Sequence, residues 1–176
     1  MSARLLVLAL ALPLLLGADD KKEELKEFTP KEGGFSVLLP DTPKKTEVPI
    51  KTPDGKSITQ VQYAVDLGKG AYLVSYQDNP HLEKATDEKR YEALTTGRKK
   101  VEEIFQGKLL KEEKIKLDDK HPGLFFEVDM PKLKGIYRCR MYLVGGRLYQ
   151  VIALGEQEVA TSKDANRFLE SFRLTK

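Results

Sequence analysis

Two long runs in the second half of the chain repeat apolar residues at every second position, and this pattern constrains the fold most strongly. A period of two places successive side chains on opposite faces of a β-strand. Gly145-Gly146 then joins the second run to residues 147–154 as a two-residue hairpin. The apolar members are Leu124, Phe126, Val128 and Met130 in the first run, and Tyr137, Cys139, Met141 and Leu143 in the second. The pattern predicts antiparallel strands.

Further strands are predicted on both sides of a helical segment. The fold class is α+β, with a central antiparallel sheet of about six to eight strands, one long helix (about 86–106) and a short C-terminal helix (about 162–171) packed on it. The lysines and glutamates of 109–117 are typical of an exposed edge strand. The other predicted strands are 35–39, 45–50, which its prolines place at an edge, 57–67 and 71–77.

The long helix is predicted from an apolar stripe at helical spacing, with Thr86 as N-cap and Gly107 as the C-terminal stop. Gly97 lies within the stripe, where we expect the helix to approach the sheet closely. The stripe consists of Tyr91, Leu94, Val101, Ile104 and Phe105.

Turns are predicted from residue chemistry at two further places. Residues 52–55 have the Thr-Pro-Asp-Gly sequence of a turn. His121-Pro122-Gly123 fits a type II turn, with proline at the second position and glycine at the third.

The N-terminus has the pattern of a secretory signal peptide. Arg4 precedes an apolar run over residues 5–16, and Gly17 and Ala18 follow it. We predict that residues 1–18 are removed, that 19–32 form a polar tether and that 33–176 form one domain. A lipoprotein signal needs cysteine where Ala18 stands, so we predict a secreted or periplasmic protein without a lipid anchor or stable membrane insertion.

Charge and cysteine content exclude several classes of protein. Without Arg4, 29 basic residues face 27 acidic residues, a net charge of about +2. Because both signs are mixed along the chain, the sequence lacks the basic surface of a nucleic-acid-binding protein. Cys139 is the only cysteine, so stability depends on the core and not on an internal disulfide.

The sequence predicts no enzyme, no cofactor and no structural metal. His81 and His121 each stand beside a proline, forty residues apart, and Asp118-Asp119 is not followed by further oxygen ligands of a calcium loop. Cys139 shares its strand phase with apolar residues, so we expect it to be a buried, unreactive thiol.

One polar face provides a candidate recognition surface. If Met130 faces Tyr137, then Asp129 lies opposite Arg138, and Glu127 lies opposite Arg140. This arrangement is either a solvated ion ladder or a surface that recognises a partner or an anionic ligand. The candidate surface consists of Glu127, Asp129, Arg138, Arg140, Tyr142 and Tyr149.

The order of these elements resembles that of the PsbP-like superfamily. The resemblance rests on Gly34-Phe35-Ser36-Val37-Leu38-Leu39-Pro40 at the start of the domain, the long helix, the antiparallel run and the closing Phe168-Leu169-Glu170-Ser171-Phe172. It implies an α+β sandwich found in photosynthetic extrinsic subunits and exported bacterial lipoproteins. Such relatives mainly bind other proteins or act as assembly factors.

The function predicted from these features is a secreted, non-enzymatic binding or accessory module whose partner is another exported protein. The alternative is a carrier that holds a small apolar ligand between the long helix and the sheet. A carrier needs a cavity of roughly a few hundred cubic ångströms, here lined by residues such as Tyr72, Tyr91, Phe126 and Met141.

Overall fold

The computed structural model describes residues 24–51 and 57–175. The predicted signal peptide lies outside these residues, as does the predicted turn at 52–55. The strands are β1 (Lys26–Phe28), β2 (Phe35–Leu39), β3 (Lys44–Lys51), β4 (Ser57–Asp66), β5 (Gly70–Asp78), β6 (Lys108–Leu117), β7 (His121–Met130), β8 (Gly135–Val144), β9 (Arg147–Glu156) and β10 (Arg173–Leu174). The helices are α1 (Asp87–Phe105), α2 (Gln157–Ala160) and α3 (Lys163–Glu170), with 3₁₀ turns at Pro80–Leu82 and Pro131–Leu133.

A seven-stranded antiparallel sheet in the order β3-β4-β5-β9-β8-β7-β6 forms the centre of the fold. This confirms the predicted α+β class, the strand number and the two edge strands. A smaller sheet in the order β1-β2-β10 was not predicted. The Gly145-Gly146 turn is confirmed, because Val144 pairs with Arg147 and Gly145 has a φ of 58°.

Both faces of the central sheet are buried. On one face α1 packs on β7 and β8, over a core that includes Phe126 and Tyr137. On the other face α3 and the small sheet cover a second core that includes Phe35 and Phe168. The fold is therefore a sandwich around the sheet, and the face that carries the predicted ladder is largely interior. No helix within residues 24–51 and 57–175 is long and apolar enough to cross a membrane.

The long helix begins as predicted and ends differently. The Thr86 hydroxyl accepts a hydrogen bond from the Lys89 backbone N–H. At the other end, Gln106 takes the left-handed conformation with a φ of 48°. Gly107 instead packs so closely that a Cβ there would overlap the Asp129 carbonyl oxygen. Ile104 is 45% exposed, so its assignment to the buried stripe was wrong.

Gly97→Ala is expected to stabilise the protein. A Cβ at Gly97 would meet the Met141 Cε at 3.5 Å, an ordinary van der Waals contact. Alanine in a helix interior is about 0.5–1 kcal/mol more favourable than glycine. Urea denaturation should therefore show a gain of that size. Gly107→Ala is the control, because its Cβ would overlap backbone and the same change should be destabilising; a loss at Gly97 would contradict the prediction.

The segment predicted as a tether over 19–32 contains a strand, which corrects that part of the prediction. Lys26, Glu27 and Phe28 pair with β2 in antiparallel register. The Phe28 ring lies 5.1 Å from that of Tyr63, and Leu25 is only 7% exposed. Two apolar residues in a charged segment are enough to anchor it because β2 offers a free edge.

The predicted type II turn at His121-Pro122-Gly123 is wrong. The turn lies earlier, at Leu117–Lys120, where Asp118 and Asp119 both have positive φ values of 52° and 54°. Positive φ at both central residues defines a type I′ turn, which matches the twist of the flanking strands. Aspartate tolerates this conformation better than most residues, so the chain enters β7 at His121.

A candidate binding groove between the sheet edge and the C-terminal helix

The predicted pairing between β7 and β8 is displaced by two residues. Glu127 lies opposite Arg138, and Asp129 lies opposite Ile136. Arg140 lies opposite Phe125. The predicted pairs Asp129–Arg138 and Glu127–Arg140 are therefore wrong. The connection is a short one, with Met130 opposite Gly135 around the 3₁₀ turn at Pro131–Leu133. A shift of two preserves which residues share a face and changes only their partners.

Two residues of the predicted recognition surface belong to the core. Tyr142 and Tyr149 are each 4% exposed. The Tyr142 ring stacks on Phe172, with a centroid separation of 5.6 Å. The Tyr149 hydroxyl donates to the Gly33 carbonyl oxygen at 2.9 Å. These contacts fasten the small sheet and the C-terminal segment to the central sheet.

Arg138 is a structural clamp. Its Nε donates to Glu127 Oε1 at 2.8 Å. Its Nη1 donates to the Ala160 carbonyl oxygen at 3.0 Å and to Asn166 Oδ1 at 2.9 Å. The side chain is 12% exposed. One arginine thus links β7, β8, α2 and α3, and most of its donors are occupied within the fold.

Beside this clamp, a groove of about 150 Å³ opens between β6, β7, β8 and α3. The groove lies where the face of the sheet that carries Phe125 and Arg140 meets α3. We refer to it as the β6–α3 groove. Its lining consists of Lys111, Glu113, Ile115, Phe125, Arg138, Arg140, Asn166, Leu169 and Glu170.

Phe125 organises the charged side chains of the β6–α3 groove. Lys111 Nζ lies 5.2 Å from the centroid of the Phe125 ring. The Cζ atoms of Arg138 and Arg140 lie 5.7 Å and 5.4 Å from the same centroid. A cation within about 6 Å of an aromatic face is attracted by the negative face of the ring. Three positive groups are therefore gathered around one apolar ring that is 6% exposed.

Of the six predicted surface residues, the structure brings only Arg138 and Arg140 to the β6–α3 groove, with Glu127 behind Arg138. Phe125 was missed although it shares the phase of Glu127 and Asp129, a signal that the sequence did contain. The contributions of β6 and α3 had no such signal, because nothing in the sequence says which face of the sheet α3 covers.

No metal cluster occurs among the described residues: no group of three or more His, Cys, Asp or Glu side chains is placed to hold an ion. His81 lies in the 3₁₀ turn at Pro80–Leu82, and His121 begins β7. Burial lowers the pKa of His121.

Cys139 has no exposed surface, which confirms its predicted burial. Desolvation raises the pKa of its thiol well above the usual value. The thiolate is the reactive form, so we expect Ellman's reagent to leave the native protein unlabelled and to label it promptly after unfolding in guanidinium. Labelling of native protein at the rate of a free thiol would contradict this expectation.

The four residues predicted to line an apolar carrier cavity do not surround one space. Tyr72 lies in the core beneath α3, where its ring stacks on Phe168. Phe126 and Met141 lie in the other core, on the opposite face of the sheet. Both are at most 1% exposed. Tyr91 is a half-buried side chain that packs against the core containing Phe126 and Met141.

Comparison with known proteins supports the fold and extends no further. No family model and no curated protein matches the chain. The solution structure of cyanobacterial PsbP (CyanoP) from Synechocystis sp. PCC 6803 has a similar fold, with a TM-score of 0.56 and 16% sequence identity over 92% of this chain and 98% of that chain. The chain thus has a PsbP-like fold, as its sequence indicated. A crystal structure from Bacteroides thetaiotaomicron, at a TM-score of 0.39 and 14% identity, covers 86% of this chain and 48% of that one.

Proposed function

We propose that this chain is an exported, non-enzymatic accessory module that binds another protein through the β6–α3 groove. The observation that carries the proposal is the gathering of Lys111, Arg138 and Arg140 around Phe125 in a groove open to solvent. Arginine and aromatic side chains are the residues that most often dominate the energy of protein interfaces.

Two further observations support the proposal. The apolar run over residues 5–16 after Arg4 is typical of an export signal. The PsbP-like fold is shared with a cyanobacterial PsbP, and the PsbP-like resemblance implies accessory and assembly roles. Since a fold alone does not determine function, the groove and not the fold identifies the surface to be tested.

The test is capture of a partner with the mature chain as bait. Tagged protein is cross-linked in the exported fraction of its own source cells, and the captured proteins are identified by mass spectrometry. Lys111→Glu with Arg140→Glu should abolish capture of a specific protein. Lys44→Glu with Lys51→Glu, at the opposite sheet edge, changes the net charge equally and should leave capture intact.

Thermal melts of both double variants check that the fold survives the substitutions. Equal capture by the two variants would contradict the assignment of the groove as the binding surface. Absence of any specifically captured protein with the unmodified bait would overturn the binding function itself.

A further inference from the structure

Arg140 differs from its neighbour Arg138 in having poorly satisfied donors. Its Nε is buried without a hydrogen-bond partner among the described residues. Its Nη1 donates to the Tyr142 hydroxyl at 3.4 Å, near the limit for a hydrogen bond, and its Nη2 lies 3.9 Å from Glu170 Oε1. The bonds of Arg138 are 2.8–3.0 Å long. A buried donor without a partner is costly. Among the described residues Gln77, Asn79 and Tyr137 also have such an atom, and Arg140 is the one of the four that lines the β6–α3 groove.

The guanidinium group of Arg140 is nevertheless held in position. The residue lies in the middle of β8, and its Cζ is 5.4 Å from the centroid of the Phe125 ring. The side chain is 25% exposed, and the carboxylate it pairs with, Glu170, is 68% exposed. Because the arginine is already ordered and Glu170 is solvated, a ligand that replaced Glu170 would lose little conformational entropy at Arg140.

We propose that the β6–α3 groove receives one carboxylate from an acidic segment of the partner protein, and that Arg140 is its anchor. This inference rests on the proposed function and adds the chemistry of the ligand. Arginine binds a carboxylate through two parallel charge-assisted hydrogen bonds, which matches the planar group that Arg140 presents. Phe125, Leu169 and Ile115 would pack against the methylene groups of the incoming side chain.

Size and charge both favour a single carboxylate. The groove volume of about 150 Å³ is below the roughly 300–1,000 Å³ of pockets for drug-sized ligands, so it suits one side chain. Arg138 is paired with Glu127 and Lys111 lies 3.6 Å from Glu113, so Arg140, 3.9 Å from the exposed Glu170, is the lining cation with the most distant carboxylate partner. A phosphate dianion would bring two negative charges close to Glu113 and Glu170. The same two glutamates oppose a flat anionic membrane.

The primary test is an NMR titration of the full mature chain with two capped peptides of equal length, Gly-Asp-Glu-Glu-Asp-Gly and Gly-Asn-Gln-Gln-Asn-Gly. The acidic peptide should cause saturable shifts at Phe125, Arg140 and Leu169, and the amide peptide should cause none. Hydrogen bonds to charged groups correspond to roughly a tenfold or greater change in affinity. Arg140→Ala should therefore weaken binding of the acidic peptide by at least about tenfold.

Arg140→Lys and Arg173→Ala distinguish anchoring from general attraction. Lysine keeps the charge and loses the planar pair of donors. The affinity of Arg140→Lys for the acidic peptide should therefore lie between the affinities of the unmodified protein and of Arg140→Ala. Arg173 pairs with Glu27 on the small sheet, away from the groove, and Arg173→Ala should bind normally. If Arg173→Ala weakened peptide binding as much as Arg140→Ala, the effect would reflect net charge alone, and the proposal would be overturned.

Inorganic phosphate and vesicles of phosphatidylcholine with phosphatidylglycerol test the other anions at matched ionic strength. Stronger binding of either one at the groove than of the acidic peptide would overturn the carboxylate assignment. If the bait captures a protein equally well with and without Arg140→Ala, this inference fails while the binding function stands. If the unmodified bait captures nothing, the binding function fails, whatever the peptide titration shows.

Discussion

Replacing Phe168 by alanine is expected to destabilise the protein by about 3–5 kcal/mol, the cost typical of removing a buried aromatic side chain. Phe168 has no exposed surface. Its ring stacks on Tyr72 with a centroid separation of 4.7 Å and an interplanar angle of 4°. The change would leave a cavity between α3 and the central sheet, and the 2.9 Å hydrogen bond from Arg138 to Asn166 opposes a shift of the helix into that space.

Thermal unfolding provides the measurement. In a domain of about 150–250 residues, 1 kcal/mol shifts the melting temperature by about 2–4 °C. Phe168→Ala should therefore melt roughly 6–20 °C lower than the unmodified protein. Phe168→Leu is the matched control, because it keeps most of the apolar volume and should cost less than about 1.5 kcal/mol. A loss below 1 kcal/mol for the alanine variant would mean that α3 contributes little to the second core.

The same change tests the link between the core and the β6–α3 groove. Phe168 faces the sheet, and Asn166, Leu169 and Glu170 on the same helix line the groove. Loosening α3 should therefore weaken binding of the acidic peptide even at temperatures where the protein remains folded. Arg140→Ala should also weaken binding but should leave the melting temperature nearly unchanged.

Local patterns in the sequence predicted most of the central sheet because each strand carries its own signal. The period of two and the Gly145-Gly146 turn depend only on neighbouring residues. Lysines and glutamates identified β6 as an edge strand for the same reason. Strand β1 gave no such signal, because its pairing depends on the edge of β2, a partner outside the segment itself.

The position of the helix stop shows a limit of residue preference. Gly107 is the usual residue for the left-handed position after a helix, yet Gln106 occupies that conformation. Gly107 is needed for another reason, since only a residue without a side chain can lie against the Asp129 backbone. The sequence shows a glycine near the end of the helix. It does not show whether the glycine provides the left-handed conformation or the close contact with the Asp129 backbone.

The candidate surface was predicted only in part. Strand phase correctly placed Glu127, Arg138 and Arg140 on one face, because phase survives a shift of two residues. It could not give the partners, which depend on the length of the β7–β8 connection. It also could not separate Arg138, most of whose donors are used within the fold, from Arg140, whose donors are poorly satisfied. That difference comes from α2 and α3, which are distant in sequence.

Gly155→Ala is expected to cost about 4 kcal/mol or more, from strain and overlap together. Gly155 has a φ of 135°, a conformation that other residues rarely adopt. A Cβ there would overlap the Cα of Gly70 and the carbonyl oxygen of Lys69. Gly155 lies between Gly70 on β5 and Ile136 on β8, so the sheet cannot open at this point without losing pairs on both sides.

Gly68→Ala separates the two contributions to that cost. Gly68 also has a positive φ, of 74°, but no atom lies within 4 Å of a Cβ built there. Its replacement should cost only about 1–2 kcal/mol, the penalty for a left-handed residue with a side chain. Urea denaturation of both variants measures the difference. If Gly155→Ala fails to fold while Gly68→Ala folds, that result also agrees with the expectation. Native proteins are stable by only about 5–15 kcal/mol, so a loss of this size can unfold the chain. Similar losses for the two variants would show that the contact between β5 and β9 at Gly70 and Gly155 can relax, and that the crowding there does not require glycine.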